Sequence, residues 1–449
     1  MATEHDLIRD ADERARAYLK SVATRPVFPD DGDLAKLDLF DEPLPDRPGD
    51  AALMLDQLDR VGSVNTSVST GPNYFGFVIG GVLPAAAAAD RMVSVWDQCA
   101  SSFDNSPVAA KLEAIAADWV LDILDLPRLS AVGFGTSATA CALSCLAAAR
   151  RELLSRKGWD VDKNGLTGAP EIKVVTSELS HITIFKALRI LGFGEKQIIR
   201  AKTGDDGRII VKSLPALDDL TILCVQAGEV NSGAFDPFQD VLGQANHAGA
   251  WAHVDGAFGL WARATTSHKH LTGGIELADS WTTDGHKWLN TPYDSAMAIV
   301  KDASVLARAM NADAVYATAE SHAQKNLTLE FSRRARGIAV WAALKTLGRQ
   351  GVAEMVERHC RLAQKLALGI DGKNGIKVIN EVVLNQVLCA TTGAETPAEF
   401  MARMNGTGKI WFGPTMWRGK PAFRLSVSNW RMTEKDMDRA IKVLTDQPE

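Results

Sequence analysis

The chain has no long basic run, no long apolar run and no paired cysteines. Its 449 residues carry 49 Lys and Arg against 55 Asp and Glu, a net charge of −6. A mildly acidic balance without a basic tract argues against nucleic acid as the main partner. The densest basic stretch, SRRARG at 332–337, reads as a solvated helix face or a set of internal ion pairs. The longest small-apolar segment, GGVLPAAAAAD, contains Pro84 and is too short to cross a bilayer, so no membrane partner is expected. The opening residues MATEHDLIRDADERARAYLK are charged and lack the apolar core of a signal peptide. Six cysteines are scattered without a CxxC or metal-ligand cluster. They read as reduced thiols of a cytoplasmic protein, and no metal site is expected. HExxH, a Walker lysine and GxSxG are absent too, which removes zincins, P-loop NTPases and nucleophile-elbow hydrolases.

What is present is a composition 46% hydrophobic and 23% charged, enough for one large core and a smaller domain. A helix-patterned start leads into VFPDDGDLAKLDLFDEPLPDRPGD, so residues 1–73 read as an arm and not a domain. Ser106-Pro107 opens a helix, with the Ser suited to the N-cap and the Pro to the first helical position. Its Val108, Leu112, Ile115, Trp119 and Ile123 recur at helical spacing. Beyond it, helical stretches at 138–155, 181–191 and 238–249 are interleaved with strand-like EIKVVTS, TILCVQAG, WAHVDGA, DSWTTDGH and SAMAIVKD. Apolar strands separated by helices predict a mostly parallel α/β sheet covered on both faces, spanning residues 74–345. A long helix near 333–368, then IKVINEVVLNQVLCAT and PAFRLSVSNW, predict a smaller α+β domain over 346–449.

Ligands of such sheets collect at the carboxyl ends of the strands. There the sequence places His181, Asp255, Asp284, His286 and Lys287. Upstream, Gly133 and Gly135 are followed by Thr136, Ser137, Ala138 and Thr139, so the third glycine of a dinucleotide fingerprint is missing. That pattern suits a phosphate monoester held at a helix N-terminus, and equally the N-cap of an ordinary helix. A carboxylate ending a buried strand, Asp255, needs a cation, a hydrogen-bond network or water. Lys287 becomes a good nucleophile when burial and a nearby cation lower its pKa. A phosphate, a basic ring nitrogen wanting a carboxylate and a carbonyl reactive toward lysine are all met by pyridoxal 5′-phosphate.

HVDGAFG followed by DGHKWLN, with NYFGFVIGG, SRRARGIAVWAALKTLG and RLSVSNWRMTEKDMDRAI, resembles the pyridoxal-phosphate-dependent group II decarboxylases. The likeness covers most of the chain after about residue 70 and is greatest to the family's bacterial branch. It implies fold type I, with a seven-stranded large domain, and a homodimer on whose partner subunit the arm packs. By position it implies that Lys287 bonds the cofactor as an imine, Asp255 pairs with the ring nitrogen and His181 stacks on the ring. Ser137, Ala138, Thr139 and His286, with Asp284 beside them, would hold the cofactor. Phe77, Gly80 and Arg424 match substrate-pocket positions, and Phe77 suits an aromatic side chain. The implied activity is removal of the α-carboxylate of an L-amino acid. Three departures stand out. Leu327 replaces a loop tyrosine of many relatives, with Tyr316 nearby as a substitute. Glu229 lies where a Gly-Thr-Thr type loop is usual. Asp284-Gly285 replaces the Asn-Pro of animal enzymes. Loss of the loop proton donor would divert the product to an aldehyde, so an aldehyde synthase or another carbon–carbon lyase is the rival activity. A catalytically silent dimeric binding protein is the rival from another class.

Overall fold

The computed structural model describes residues 2–311 and 323–446. The chain forms two compact units, one of residues 80–364 and 380–386, the other of 1–79, 365–379 and 387–449.

The larger unit is built on seven strands: β1 Ala131–Gly135, β2 Lys173–Ser177, β3 Ile198–Ala201, β4 Thr221–Gln226, β5 Trp251–Asp255, β6 Ser280–Asp284 and β7 Ala296–Val300. Their order is β1-β7-β6-β5-β4-β2-β3. β7 runs antiparallel to both its neighbours, while the pairs from β6 to β3 are parallel. Every residue of β4 to β7 is buried, as expected of strands covered on both faces. One face is covered by the Ala138–Arg156 helix, whose Cys141, Ala142, Cys145, Ala148 and Ala149 are small enough to let it lie close to the sheet.

Two strands escaped the sequence reading. β1 is AVGFG, whose glycines suggest a turn, yet Gly133 sits inside the strand because a Cβ there would run into the Leu327 carbonyl. β3 is a half-exposed edge strand without a long apolar run. The Pro107–Ile123 helix begins as expected, with Ser106 Oγ accepting the Ala109 N–H at 3.3 Å. Its buried face, however, is Ala109, Glu113, Ala116 and Val120, and Val108 is 38% exposed. The small residues allow close approach, and Glu113 is tolerated inside because Arg333 meets it with two hydrogen bonds of 2.8 and 2.7 Å. The long helix Gly337–Ile370 breaks at Gly348, whose φ of 60° only glycine adopts freely.

The smaller unit takes in both the N-terminal segment and most of the C-terminal α+β region. Its strands belong to a four-stranded sheet of order β10-β11-β9-β8: β8 Ile376–Val378, β9 Gln386–Thr391, β10 Gly413–Trp417 and β11 Lys420–Ser426. The N-terminal residues are stitched onto it by backbone bonds from Val27 to Gly408, Phe75 to Trp411 and Ser426 to Phe75. Tyr74 stacks on Trp411 with ring centroids 4.9 Å apart. So residues 1–79 are not a free-standing arm within the protomer; they help to build this unit.

Candidate active site

β5 and β6 run side by side, with Asp255 in register with Thr282. Asp284 ends β6, and the chain then turns through Gly285, His286 and Lys287. Asp284 is the hub of this turn. One carboxylate oxygen accepts the Ala138 N–H at 2.7 Å, at the start of the helix that Ser137 caps. The same oxygen lies 3.6 Å from His286 Nε2, and the other lies 3.3 Å from Lys287 Nζ. The strand end, the phosphate-type helix start and the lysine are thus tied together by one buried carboxylate. Ser137, Ala138 and Thr139 are half-buried there.

Asp255 is almost fully buried and accepts the Ala257 N–H at 3.1 Å. Burial raises its pKa, while the fields of His181 and Lys287 lower it and that of Asp284 raises it. His181, Lys287 and Asp284 therefore all act on the same carboxylate. His181 caps the Ile182–Ile190 helix, with its Nδ1 2.8 Å from Thr183 Oγ1. His286 has its pKa lowered, first by burial, and its ring stacks on Tyr293 at 4.2 Å. Its Nδ1 is buried with no protein partner. Lys287 Nζ lies 6.0 Å from the centre of the Phe258 ring, so the amine is flanked by apolar surface on one side and carboxylate on the other.

Other expected residues fall as follows. Gly80 is pinned to the lysine turn: its N–H donates to the His286 carbonyl, and a Cβ would collide with the Lys287 carbonyl. Phe77 and Arg424 belong to the smaller unit and flank one glycine. The Phe77 ring lies over Gly413, which is the cross-strand partner of Arg424. Glu229 is buried and turned back on its own loop, accepting the N–H groups of Asn231 and Ser232 at 2.8 and 2.7 Å. Its alternatives of facing a substrate or facing solvent give way to a loop-building role. Leu327 packs against the core beside β1. Tyr316 lies outside the described residues.

Sequence reasoning missed the partner of Trp288, whose buried indole donates to His359 Nδ1 at 2.9 Å across 71 positions. No local pattern signals such a pair. It also missed the network behind Asp255, although HVDGA displays its central residue, His253.

An N-capped helix start, a half-buried lysine, a strand-end carboxylate and an unpartnered imidazole nitrogen define a site for a phosphorylated, carbonyl-bearing ring cofactor on an α/β sheet. That donor set fits pyridoxal phosphate. The pyridoxal-dependent decarboxylase conserved domain matches residues 34–390, and the chain belongs to that family. It is a pyridoxal-phosphate-dependent carboxy-lyase. It is 27% identical to tryptophan decarboxylase 1 of Oryza sativa subsp. japonica, over 92% of this chain and 87% of that protein. Phenylacetaldehyde synthase of Arabidopsis thaliana is 25% identical over 77% of this chain and 75% of that one. A solved structure of Oryza sativa TDC with PLP and tryptamine superposes with a TM-score of 0.88 over 98% of this chain and 97% of that one, at 24% identity. The fold is that of the type I pyridoxal-phosphate enzymes.

Proposed function

We propose that the protein decarboxylates an aromatic L-amino acid to the amine, with Lys287, Asp255 and His181 as its catalytic residues. The observation that carries this reading is that the Asp284–Lys287 pair, 3.3 Å apart at the end of β6, sits beside the end of β5 where Asp255 is buried, with His181 near enough for its charge to act on Asp255. Bound pyridoxal phosphate supplies an electron sink for the pair released when the Cα–carboxylate bond breaks. The residues of this chain do the rest. Ser137, Ala138 and Thr139, with His286, would hold the phosphate end at the helix start, which Asp284 braces by accepting the Ala138 N–H. Asp255 would hold a proton at the ring nitrogen, and His181 would pack against the ring. Lys287 would anchor the cofactor through its carbonyl carbon. Phe77 and Gly80 stand at substrate-pocket positions that the resemblance implies, where a Phe suits an apolar or aromatic side chain; Arg424 is a candidate for a carboxylate contact or a structural salt bridge. The choice of bond belongs to the protein, since only the Cα bond held perpendicular to the ring breaks.

Support for the aromatic class comes from the tryptophan decarboxylase relative. Leu327 favours one second reading: with no tyrosine at that position, molecular oxygen takes up the electron pair that cleavage releases and becomes peroxide, and water then frees aldehyde and ammonia; the phenylacetaldehyde synthase relative is named for an aldehyde product. Purified protein loaded with pyridoxal phosphate and given a panel of L-amino acids should release carbon dioxide and the matching amine from an aromatic one. Aldehyde with peroxide would establish the second reading, and turnover of only acidic or diamino substrates would sink the aromatic one.

The working form we propose is a homodimer. Leu39, Leu44, Leu53 and Met54 are exposed in the N-terminal segment, as are Met92 and Trp96, more apolar surface than a monomer leaves open. Sedimentation should give twice the mass of one chain. A bacterial placement rests on Asp284-Gly285 before the His-Lys pair. A cytoplasmic setting rests on six free cysteines, five of them buried. Among the described residues, no helix is long and apolar enough to cross a membrane.

A further inference from the structure

Behind Asp255, β5 carries a line of polar side chains that the reaction as described does not use. Trp251, His253 and Asp255 alternate onto one face of the strand, about 7 Å apart in sequence-adjacent pairs. All three are buried, His253 completely. On the neighbouring strand Ser280 is in register with His253, and Thr282 with Asp255. On the other side Cys224 and Gln226 take the same two places.

The hydrogen bonds in this line have one consistent direction. Trp251 Nε1, which can only donate, lies 3.0 Å from Ser280 Oγ. Ser280 Oγ lies 2.9 Å from His253 Nδ1. If the serine accepts from the indole and passes its own proton to Nδ1, both contacts are satisfied. The reverse tautomer would leave the serine proton without an acceptor in this line. His253 is then neutral, with its proton on Nε2, and burial, which pushes its pKa down to about 3, keeps it neutral. That Nε2 is buried and has no protein partner, and neither do Gln226 Nε2 or Thr282 Oγ1. Three unpartnered polar atoms thus belong to residues that flank Asp255 in the sheet: Gln226 and Thr282 in register with it, and His253 two places before it. Together with Asp255 they offer the two to four contacts a buried water requires.

We propose that His253 is a positioning residue for Asp255, donating from Nε2 through one buried water to its carboxylate, with its tautomer set by Trp251 and Ser280. The relay rests on the reading that Asp255 pairs with the ring nitrogen of the cofactor. It favours the carboxylate form of Asp255 and so strengthens the hold on that proton. The other groups facing Asp255 are His181, from the start of the Ile182–Ile190 helix, and Lys287 and Asp284, from the end of β6. Cys224 of β4 feels the Asp255 charge from the same face.

The test is a nitrogen-15 NMR titration of holoenzyme carrying ring-labelled pyridoxal phosphate, alongside kcat and KM. In His253→Phe the ring nitrogen should lose its proton at a pH lower by about one unit, a tenfold weaker hold. Its kcat should fall with KM unchanged. His253→Gln, which restores a donor near the Nε2 position, should move the titration back toward wild type. Ser280→Ala leaves the imidazole in place but frees its tautomer, and should shift the titration in the same direction as His253→Phe by less. It also supplies the answer if His253→Phe does not fold. A titration that overlays wild type in His253→Phe, or in Ser280→Ala where that variant alone folds, overturns the relay, whatever happens to the melting temperature. Asp255→Ala separates the two readings. If it too leaves the ring nitrogen unmoved, the assignment of Asp255 fails first; if it alone moves the signal, only the relay fails.

Discussion

Two ion pairs of the larger unit, one buried and one half-buried, are built differently. Glu113 and Arg333 meet through both carboxylate oxygens at 2.8 and 2.7 Å, and the Gly337 N–H adds a third bond at 3.2 Å. Both side chains are nearly inaccessible. Asp284 and Lys287 meet through one contact of 3.3 Å, with His286 at 3.6 Å, and the lysine side chain stays 18% exposed. The first pair is bidentate and ties the Pro107–Ile123 helix to the start of the Gly337–Ile370 helix. The second leaves the amine loosely held and open to a new bond. Burial of charge alone therefore does not mark a reactive site; how completely the charge is satisfied does.

The sharpest way to break this contrast is to remove one member from each pair. Lys287→Ala should reduce turnover to background and abolish the absorbance of the cofactor–lysine imine, while the melting temperature stays close to wild type. A large loss of stability instead would mean that this lysine is as structural as Arg333. Glu113→Ala should do the opposite, costing about 3–5 kcal/mol by stranding the Arg333 guanidinium in the core. Urea denaturation measures it. Replacing both Glu113 and Arg333 with apolar residues of similar size should recover most of that loss, since the stranded charge goes with its partner. Failure of the double variant to recover would show that the Gly337 contact, and not the charge pair, fixes the helix start.

The contrast also explains what could be read from the sequence. Lys287, Asp284 and Asp255 end strands whose apolar runs are visible, so their shared location follows from the rule that ligands gather at the carboxyl ends. His181 follows the same rule. Glu113 and Arg333 stand 220 positions apart. Neither has a local pattern that names its partner, and the SRRARG run containing Arg333 has the composition of a solvated face. The same limit hid the Trp288–His359 bond. It also left the buried Glu113 of the Pro107–Ile123 helix unseen, because helical periodicity ranks residues by apolarity and cannot foresee that a carboxylate will be matched. Glu229 was ambiguous for a related reason: its donors lie two and three residues on, in a loop whose shape the sequence does not reveal. β1 was hidden by glycines whose reason for being there is the distant Leu327 backbone.

A smaller effect separates the two regions by pH. His253 is driven from 6.5 to about 3 by burial, so the folded state binds fewer protons than the unfolded one below neutrality. Its contribution is fully present above pH 6.5 and is lost as pH falls toward the folded value. Near pH 5 the loss amounts to about 2 kcal/mol for this one group. His253→Gln should flatten the fall in stability between neutrality and pH 5 by about that amount, measured by urea denaturation at each pH. An unchanged slope would place the acid sensitivity elsewhere.

The smallest effect on stability, though not on chemistry, is expected at Leu327. Its side chain packs against the core beside β1, and its carbonyl sits where a Gly133 Cβ would be. Leu327→Tyr must fit a larger ring into that packing, at a cost of about 1 kcal/mol. If the missing tyrosine hydroxyl is what sends a released electron pair to oxygen, this variant should raise the ratio of amine to aldehyde at constant carbon dioxide. Anchoring by Gly133 makes the comparison informative, because the same contact that tolerates leucine holds the backbone of its replacement in place. A wild-type enzyme that already yields only amine would instead show that proton delivery to Cα does not depend on position 327. The half-buried leucine would then join Glu113 and Arg333 among the residues that shape the fold without entering its chemistry.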